Sequence, residues 1–203
     1  MKNHLLFVGF MVYSIIINGC KTNENQTVIG TGDVVSIDVN VPEFHGVAVN
    51  GTCNVDIQIG ESQSVRLYAQ QEILDVMTCY SSEGILQIGF DPDVTTNTDK
   101  EIRAEITVAS CSFVSIVGAG DFKLSGPRQS YLDIYITGAG NVDAYDMNVD
   151  ECAISISGMG NCKVWVNNGL DVEISGVGII YYKGDPVIKS NISGTGSINK
   201  SNN

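Results

Sequence analysis

The sequence predicts an all-β protein built as a parallel β-helix, and three observations between Val114 and Ile198 support this prediction. A short motif with a Gly-x-Gly pair at its centre occurs five times, and the first glycines of successive copies are 20, 20, 18 and 18 residues apart. Apolar and polar residues alternate on both sides of each motif, and the apolar positions recur in the same columns from copy to copy. A fixed period of about 20 residues is typical of solenoid proteins.

Each Gly-x-Gly motif is preceded by a predicted strand. The residues six, four and two positions before the first glycine are almost always apolar, and those between them are mostly polar. Alternation with a period of two indicates a strand with one buried face. The recurring column closest to the glycines is therefore expected to stack inside the coils, and it contains Ile136, Ile156, Ile174 and Ile192.

The paired glycines are predicted to form the corner between two strands of one coil. Glycine adopts φ above zero easily and lets two backbones approach closely, which a tight corner requires. A phosphate-binding loop would instead need a single glycine-rich turn that opens a helix. Five copies without a helical pattern behind any of them argue against that alternative.

The first 19 residues predict export from the cytoplasm. A short polar start precedes an apolar run that is too short to span a membrane comfortably, as in a signal peptide. The run ends in Ile17-Asn18-Gly19-Cys20, which resembles the lipobox of bacterial lipoproteins, although Asn18 stands where a small residue is usual. By this resemblance Cys20 would carry the lipid, and an ordinary secretory signal is the alternative.

After a predicted linker at 20–32, residues 33–203 are predicted to form one β domain. The 22 glycines, 4 prolines and 17% charged residues fit neither a disordered chain nor a coiled coil. The formal net charge of −12 argues against nucleic acid as a partner. Contact with a membrane is expected through the lipid anchor.

Five cysteines remain beyond Cys20, an odd number that cannot all pair with one another. Cys152 and Cys162 fall on predicted inward columns, where cysteine behaves as a small apolar residue. The chain has no Cys-x-x-Cys spacing, and His45 is the single histidine beyond the predicted signal peptide. A zinc site is therefore poorly supported, and neither a metal nor a cofactor is expected.

The half of the domain from Asp33 to Cys111 is predicted to be rich in strands but lacks the 20-residue rhythm. Its alternating runs are separated by turn signals such as Asn50-Gly51 and Glu83-Gly84. A helical turn is predicted at 73–76, and the polar segment 91–100 is predicted to be an exposed loop. We expect this half to form the first, longer and less regular coils of one continuous domain.

The order Phe44-x-x-Val47-x-Val49-Asn50-Gly51, Val55-x-Ile57, Val65-x-Leu67 and Gly84-x-Leu86-x-Ile88, followed by the Gly-x-Gly repeats, resembles the head GIN domain. This family, the domain of unknown function 2807 (DUF2807), is described as a putative auto-transporter adhesin, and the resemblance covers roughly residues 33–197. It implies a single-stranded right-handed parallel β-helix, a solenoid with 18–20-residue coils. It also implies an extracytoplasmic, often lipid-anchored protein of Gram-negative bacteria, and no catalytic residues.

Other β-helices are polysaccharide lyases and hydrolases, which need carboxylates clustered with a base or a cation on one outer face. One outward column is predicted to form a charge ladder of Lys123, Asp143 and Lys163. A second outward column is predicted to serve in turns or as an amide ladder, with calcium binding as the alternative, and it contains Asp121, Asn141 and Asn161. A nucleophilic triad would depend on His45, which no Gly-x-Ser-x-Gly motif accompanies.

Outward-facing aromatic residues are the predicted ligand contacts. Tyr145 and Trp165 share the column seven residues past the first glycine and should be neighbours on successive coils, and Tyr181 lies on the next outward column one coil on. Exposed neighbouring rings can stack on sugars or contact a protein. The alternative is that they only cover the sheet or contact a second subunit.

The whole sequence therefore predicts a non-enzymatic binding or adhesion module of the bacterial cell envelope. It is expected to be an outer-membrane lipoprotein that recognises a glycan or another surface component. A polysaccharide-active enzyme and a passive structural protein of the envelope are the alternatives, and homo-oligomerisation is left open.

Overall fold

The computed structural model describes residues 26–201. The predicted signal peptide at 1–19 and the predicted lipidation site Cys20 lie outside the described residues. The described part of the chain contains sixteen strands and the short helix α1 (Gln71–Leu74), which confirms the all-β prediction. Within that part, no helix has the length and apolar character needed to cross a membrane.

The strands follow one another as β1 (Gln26–Ile29), β2 (Val35–Asp38), β3 (Gly46–Asn50), β4 (Asn54–Ile59), β5 (Ser64–Ala69), β6 (Met77–Ser82), β7 (Ile85–Phe90), β8 (Val94–Asn97), β9 (Arg103–Val108), β10 (Phe113–Ile116), β11 (Phe122–Ile136), β12 (Val142–Ile156), β13 (Met159–Ile174), β14 (Val177–Lys183), β15 (Val187–Ile192) and β16 (Thr195–Lys200).

Most of these strands belong to two parallel runs, which the long strands β11 to β13 join into one 14-stranded sheet. The first run stacks β7, β3, β10, the later parts of β11, β12 and β13, and β15. The second run stacks β9, β4, the early parts of β11, β12 and β13, and then β14 and β16. Strands β11 to β13 are long because each bends from the second run back into the first, with register shifts at the bend.

Successive coils stack residue on residue at the predicted spacing. Ile136 lies opposite Ile156, Ile156 opposite Ile174, and Ile174 opposite Ile192. The side chains of the first three are almost fully buried, whereas Ile192 is 39% exposed. The predicted stacking is therefore confirmed for all four residues and the predicted burial for the first three. The predicted burial of Ile192 is wrong, because no described coil stacks beyond it.

The paired glycines lie where the corners of neighbouring coils almost touch. A Cβ atom on Gly138 would lie 1.9 Å from the carbonyl oxygen of Gly118, and one on Gly158 would lie 2.0 Å from that of Gly138. Of the paired glycines, Gly120 has a φ of 147°, in the region that favours glycine. The predicted corner role is confirmed, and close approach of the backbones is its main cause.

The first half departs from sequential parallel stacking. The coil formed by β3 and β4 lies between the coil of β7 and β9 and the coil that begins with β10, so the order in space differs from the order in the chain. Strands β2, β5 and β6 pair antiparallel with their neighbours. For β6 and β7 the reason is local, because Glu83 and Gly84 both have positive φ and form a two-residue hairpin turn.

Two local predictions in this half need correction. The predicted exposed loop at 91–100 contains β8, which pairs in parallel with β1 from the predicted linker at 20–32. The β-branched residues Val94, Thr95 and Thr96 favour an extended backbone even though the segment lacks apolar alternation. The helix covers Gln71–Leu74 rather than 73–76.

The five described cysteines are free thiols, of which Cys79 is half-buried and the others are buried. The predicted inward positions of Cys152 and Cys162 are confirmed, since 2% and 0% of these residues are exposed. Desolvation raises the pKa of Cys53 and of Cys111 to about 12. These thiols therefore stay protonated and unreactive near neutral pH.

The two ends of the stack differ. At the end of β7 and β9, the edges are covered by β6 and by β5 with β2, and Ile73 and Leu74 of α1 are buried. At the opposite end, β15 pairs only with β13 and β16 only with β14 among the described strands. All six residues of β15 are exposed, including Val187 at 73%.

Candidate ligand-binding groove

A continuous ladder of amide and carboxylate side chains follows the Gly-x-Gly corners on the outer face of the second run. The Oδ1 atom of Asp121 accepts hydrogen bonds from the backbone N–H and the Nδ2 of Asn141, at 2.8 and 2.9 Å. Asn141 receives the same two bonds from Asn161 at 3.1 Å, and Asn161 accepts one from the backbone N–H of Ile179 at 3.0 Å. Asn54 extends the ladder by accepting the backbone N–H of Asp121 at 2.9 Å. The predicted amide ladder is confirmed.

The predicted charge ladder lies beside the amide ladder. Lys123 is in register with Asp143, and Asp143 with Lys163. The Nζ of Lys163 lies 3.2 Å from the Oδ2 of Asp143, with both side chains about half exposed. An exposed pair of this kind stabilises the fold by about 0.2–1 kcal/mol, so these charges remain available to a ligand at little cost.

The two ladders line one groove with a volume of about 590 Å³. Arg103 lies on its wall, 3.7 Å from Asp56, and also pairs with Glu105. Tyr181 is in register with Lys163 and continues the column of the charge ladder with an aromatic ring. The lining residues are Asn54, Asp56, Glu101, Arg103, Asp121, Phe122, Lys123, Asn141, Val142, Asp143, Asn161, Lys163, Ile179 and Tyr181. This volume is typical of sites for small ligands or a few sugar units.

A second cavity of about 570 Å³ continues the groove, because Asp56 and Lys123 line both. Its wall includes Glu105, whose carboxylate accepts a hydrogen bond from the Tyr68 hydroxyl at 2.5 Å. This bond and the pairing with Arg103 hold the pKa of Glu105 below its usual value, so the side chain is an anion at neutral pH. The combined surface carries charged side chains of both signs.

The three residues that were predicted to contact a ligand lie in three different surroundings. Tyr181 lines the groove and is 37% exposed. Trp165 is 42% exposed but is in register with Asn148 rather than with Tyr145. The prediction that Tyr145 and Trp165 are direct neighbours in one column is wrong, because a register shift between Ala144 and Asn148 displaces Tyr145 from the ladder.

Tyr145 is half-buried and folds against lysine side chains. The Nζ of Lys183 lies 4.4 Å from the centre of its ring, and that of Lys163 lies 6.0 Å away. Among the described residues, none forms a hydrogen bond with its buried hydroxyl group. Tyr145 therefore lies next to Lys163, which lines the groove, and the Tyr145 ring is partly covered.

Four groove residues come from the first half of the domain and were not predicted: Asn54, Asp56, Glu101 and Arg103. Glu101 accepts a hydrogen bond from Asn54 at 2.8 Å and so joins the start of the amide ladder. The alternating run from Ile102 to Val108 predicts that Arg103 faces outward, but it gives no sign of which strand lies beside it. The non-sequential stacking of β9 against β4 brings these residues to the ladders.

His45 takes part in local structure. Its Nδ1 lies 3.2 Å from the hydroxyl of Ser112, and its backbone bonds to Gly84 and Ser112 tie β3 to the neighbouring coils. These contacts give His45 a structural role between neighbouring coils.

The chain is similar to known proteins in both sequence and structure. A family model described as "Putative auto-transporter adhesin, head GIN domain" matches residues 43–130 and 91–186. A putative adhesin from Bacteroides fragilis NCTC 9343 has a similar structure, with a TM-score of 0.60, 18% identity, and coverage of 86% of this chain and 100% of its own. A putative lipid binding protein from Parabacteroides distasonis ATCC 8503 has a TM-score of 0.52 at 16% identity, covering 87% and 100%. At these identities the likeness shows the fold alone. No curated protein matches the chain.

Proposed function

We propose that this chain, which belongs to the head GIN domain family, is a non-enzymatic binding or adhesion module that works outside the cytoplasm. The observation that supports this function is the groove on the outer face of the second run. Amides, carboxylates and ammonium groups lie there beside the Tyr181 ring. Such a surface suits a glycan, because the polar groups can bond to hydroxyls while the ring stacks on a sugar.

A lipid is a less suitable ligand for this groove. One structural relative is called a lipid binding protein, but an acyl chain would desolvate the charged side chains of the groove without bonding to them. The lining of amide and ionised groups therefore favours a ligand rich in hydroxyls.

We propose that Tyr145 and Trp165 extend the binding surface beyond the groove. The Tyr145 ring lies near the groove residue Lys163, and Trp165 follows Lys163 by two residues on β13. We infer that a longer glycan would reach the exposed face of Trp165, which has an exposed fraction of 42%.

The double change Tyr181→Ala with Lys163→Gln is expected to weaken binding in a glycan-array screen of residues 26–203 by about 10-fold or more. Loss of one stacking contact costs about 0.5–1.5 kcal/mol, and loss of the ammonium group removes a second contact. Tyr80→Ala with Lys189→Gln is the matched control, because Tyr80 is 54% exposed and neither residue lines the groove.

Unchanged binding by the groove variant would refute the proposed site. If Tyr145→Ala with Trp165→Ala then abolished binding, the ligand surface would lie at these two residues alone. The absence of any ligand for the unaltered chain would favour the passive structural role.

A polysaccharide-active enzyme is the second candidate, because Asp56, Glu101, Asp121 and Asp143 share the groove with Arg103 and Lys163. The surroundings of the carboxylates favour binding over catalysis. Asp121 and Glu101 accept ladder hydrogen bonds, and Asp143 pairs with Lys163. A general acid needs surroundings that keep it protonated near neutral pH, such as an apolar pocket. Release of new reducing ends or unsaturated products from a polysaccharide would establish the enzyme.

We also propose that Cys20 carries a lipid and holds the domain at the outer membrane. Cys20→Ala is expected to move the full chain from the membrane fraction to the soluble fraction, or to block processing of the signal peptide, because a chain with a formal net charge of −12 is repelled by anionic membrane surfaces. Cys79→Ala serves as the control, since it changes a thiol within the folded domain. Unchanged fractionation with a processed N-terminus would favour an ordinary secretory signal.

We further propose that the repeat coils wind as a right-handed β-helix. The supporting observation is that the strands of successive coils pair in parallel, and crossover connections between parallel strands of one sheet are right-handed in nearly all proteins. A crystal structure with left-handed coils would overturn this proposal.

A further inference from the structure

The open end of the stack is a surface that the groove does not use. Strands β15 and β16 each have one described neighbour, so no described strand pairs with the backbone N–H and C=O groups of their outer edges. Val187, Ile188 and Ile192 are exposed beside these edges, at 73%, 38% and 39%. An open edge with apolar side chains is a template for pairing with another strand.

We propose that this end pairs with the same end of a second copy of the chain, forming a two-fold, tail-to-tail dimer. In strand β15, Ile188 and Ile192 lie at equal distances on either side of Ser190. Antiparallel pairing centred on Ser190 places Ile188 opposite the partner's Ile192 on the same face of the sheet. Lys189 then faces the partner's Asn191 rather than a second lysine. A two-fold axis normal to the sheet keeps the inward faces of both copies inward, so the buried isoleucine column continues across the interface.

The charge distribution favours a second copy at this end. Residues 184–201 contain one acidic side chain, Asp185, and two basic ones, Lys189 and Lys200, in a chain with a formal net charge of −12. Two copies that approach with these ends therefore avoid the repulsion that their acidic surfaces would produce elsewhere.

Pairing stops at two copies because the contact joins the same end of both chains and therefore closes on itself. The other end of the stack is different, since it finishes in β6 and β2, which pair antiparallel with their neighbours. Six-residue strands are about 20 Å long, and two such edges with their side chains bury roughly 800 Å² in total, below the usual range for stable complexes. The dimer is thus a weak one that forms where chains are concentrated.

A cysteine at the proposed two-fold axis tests the pairing in cells that express the full chain. Opposed residues in antiparallel strands have Cα atoms about 4.5–5.5 Å apart, which is within the range of a disulfide. With copper phenanthroline as oxidant, Ser190→Cys is expected to give at least about 10-fold more disulfide-linked dimer on a non-reducing gel than Lys189→Cys, whose thiol would face the partner's Asn191. The unaltered chain measures the background from its native cysteines.

A second change separates a specific interface from random collision. Ile192→Lys added to Ser190→Cys is expected to lower cross-linking by about 10-fold, because it places a charge in the apolar contact. Val177→Lys is the matched control, since Val177 is 51% exposed and lies on β14 rather than on β15. Equal cross-linking of Ser190→Cys and Lys189→Cys, or no effect of Ile192→Lys, would overturn the proposal.

Discussion

Replacing Ile156 with aspartate is expected to unfold the repeat coils at temperatures where the unaltered protein is folded. Ile156 is 1% exposed and lies in the buried column between Ile136 and Ile174. The change removes the burial of a large apolar side chain and puts a carboxyl group where no described side chain could pair with it. Together these effects cost about 4 kcal/mol or more, which corresponds to about 10 °C in melting temperature for a domain of this size.

The matched control for Ile156→Asp is Ile192→Asp in the same column. Ile192 is 39% exposed at the open end, so its aspartate stays hydrated and should change the unfolding temperature by a few degrees at most. Circular dichroism during heating measures both variants. The buried carboxyl group is expected to have a raised pKa, and the loss of stability should therefore grow as the pH rises from 4 to 7. Equal melting temperatures for the two variants would contradict the register of the column.

Gly158→Ala is expected to cost about 1–3 kcal/mol, because the new methyl group would lie 2.0 Å from the carbonyl oxygen of Gly138. The atoms that this methyl group would meet belong to the backbone of Thr137 and Gly138, so relief requires two stacked corners to separate. Separation would also weaken the bond from the backbone N–H of Met159 to the oxygen of Gly138, which is 2.9 Å long.

Gly169→Ala provides a control within the same repeats. A Cβ atom on Gly169 would meet the carboxylate end of Glu151, a flexible side chain that can move aside. This variant is expected to keep nearly the unaltered stability in urea denaturation. A similar loss for both variants would show that the helical pitch of the stack adapts at the corners and that close approach is not the reason for glycine there.

The repeat half of the fold could be predicted because its register is local. Equal spacing of the glycine pairs places each residue against the one 18 or 20 positions away, and alternation determines which side chains are buried. Ile156 and Cys162 lie where this rule places them. The rule fails at the bend before Asn148, since a bulge changes the count of residues without changing the alternation around it.

The first half could not be predicted in the same way, because its strand partners are distant in sequence and carry no shared motif. Nothing in the run containing Arg103 indicates that it pairs with β4 in parallel and with β5 antiparallel. Only part of the candidate groove could therefore be predicted from the sequence. Asp143, Lys163 and Tyr181 follow from the repeats, whereas Glu101 and Arg103 require the three-dimensional stacking order.

The position of the β3–β4 coil between two coils that come later in the chain determines the order in which the domain can fold. Asn54 bonds to Asp121, 67 residues away, whereas Asp121 bonds to Asn141 at a separation of 20. Closing the longer loops costs more chain entropy, so the first three coils should assemble slowly and together. Each later coil needs only the one before it. During synthesis on a ribosome, residues 46–108 emerge first and wait for 113–125 to complete the nucleus, after which the remaining coils can add one at a time as they appear.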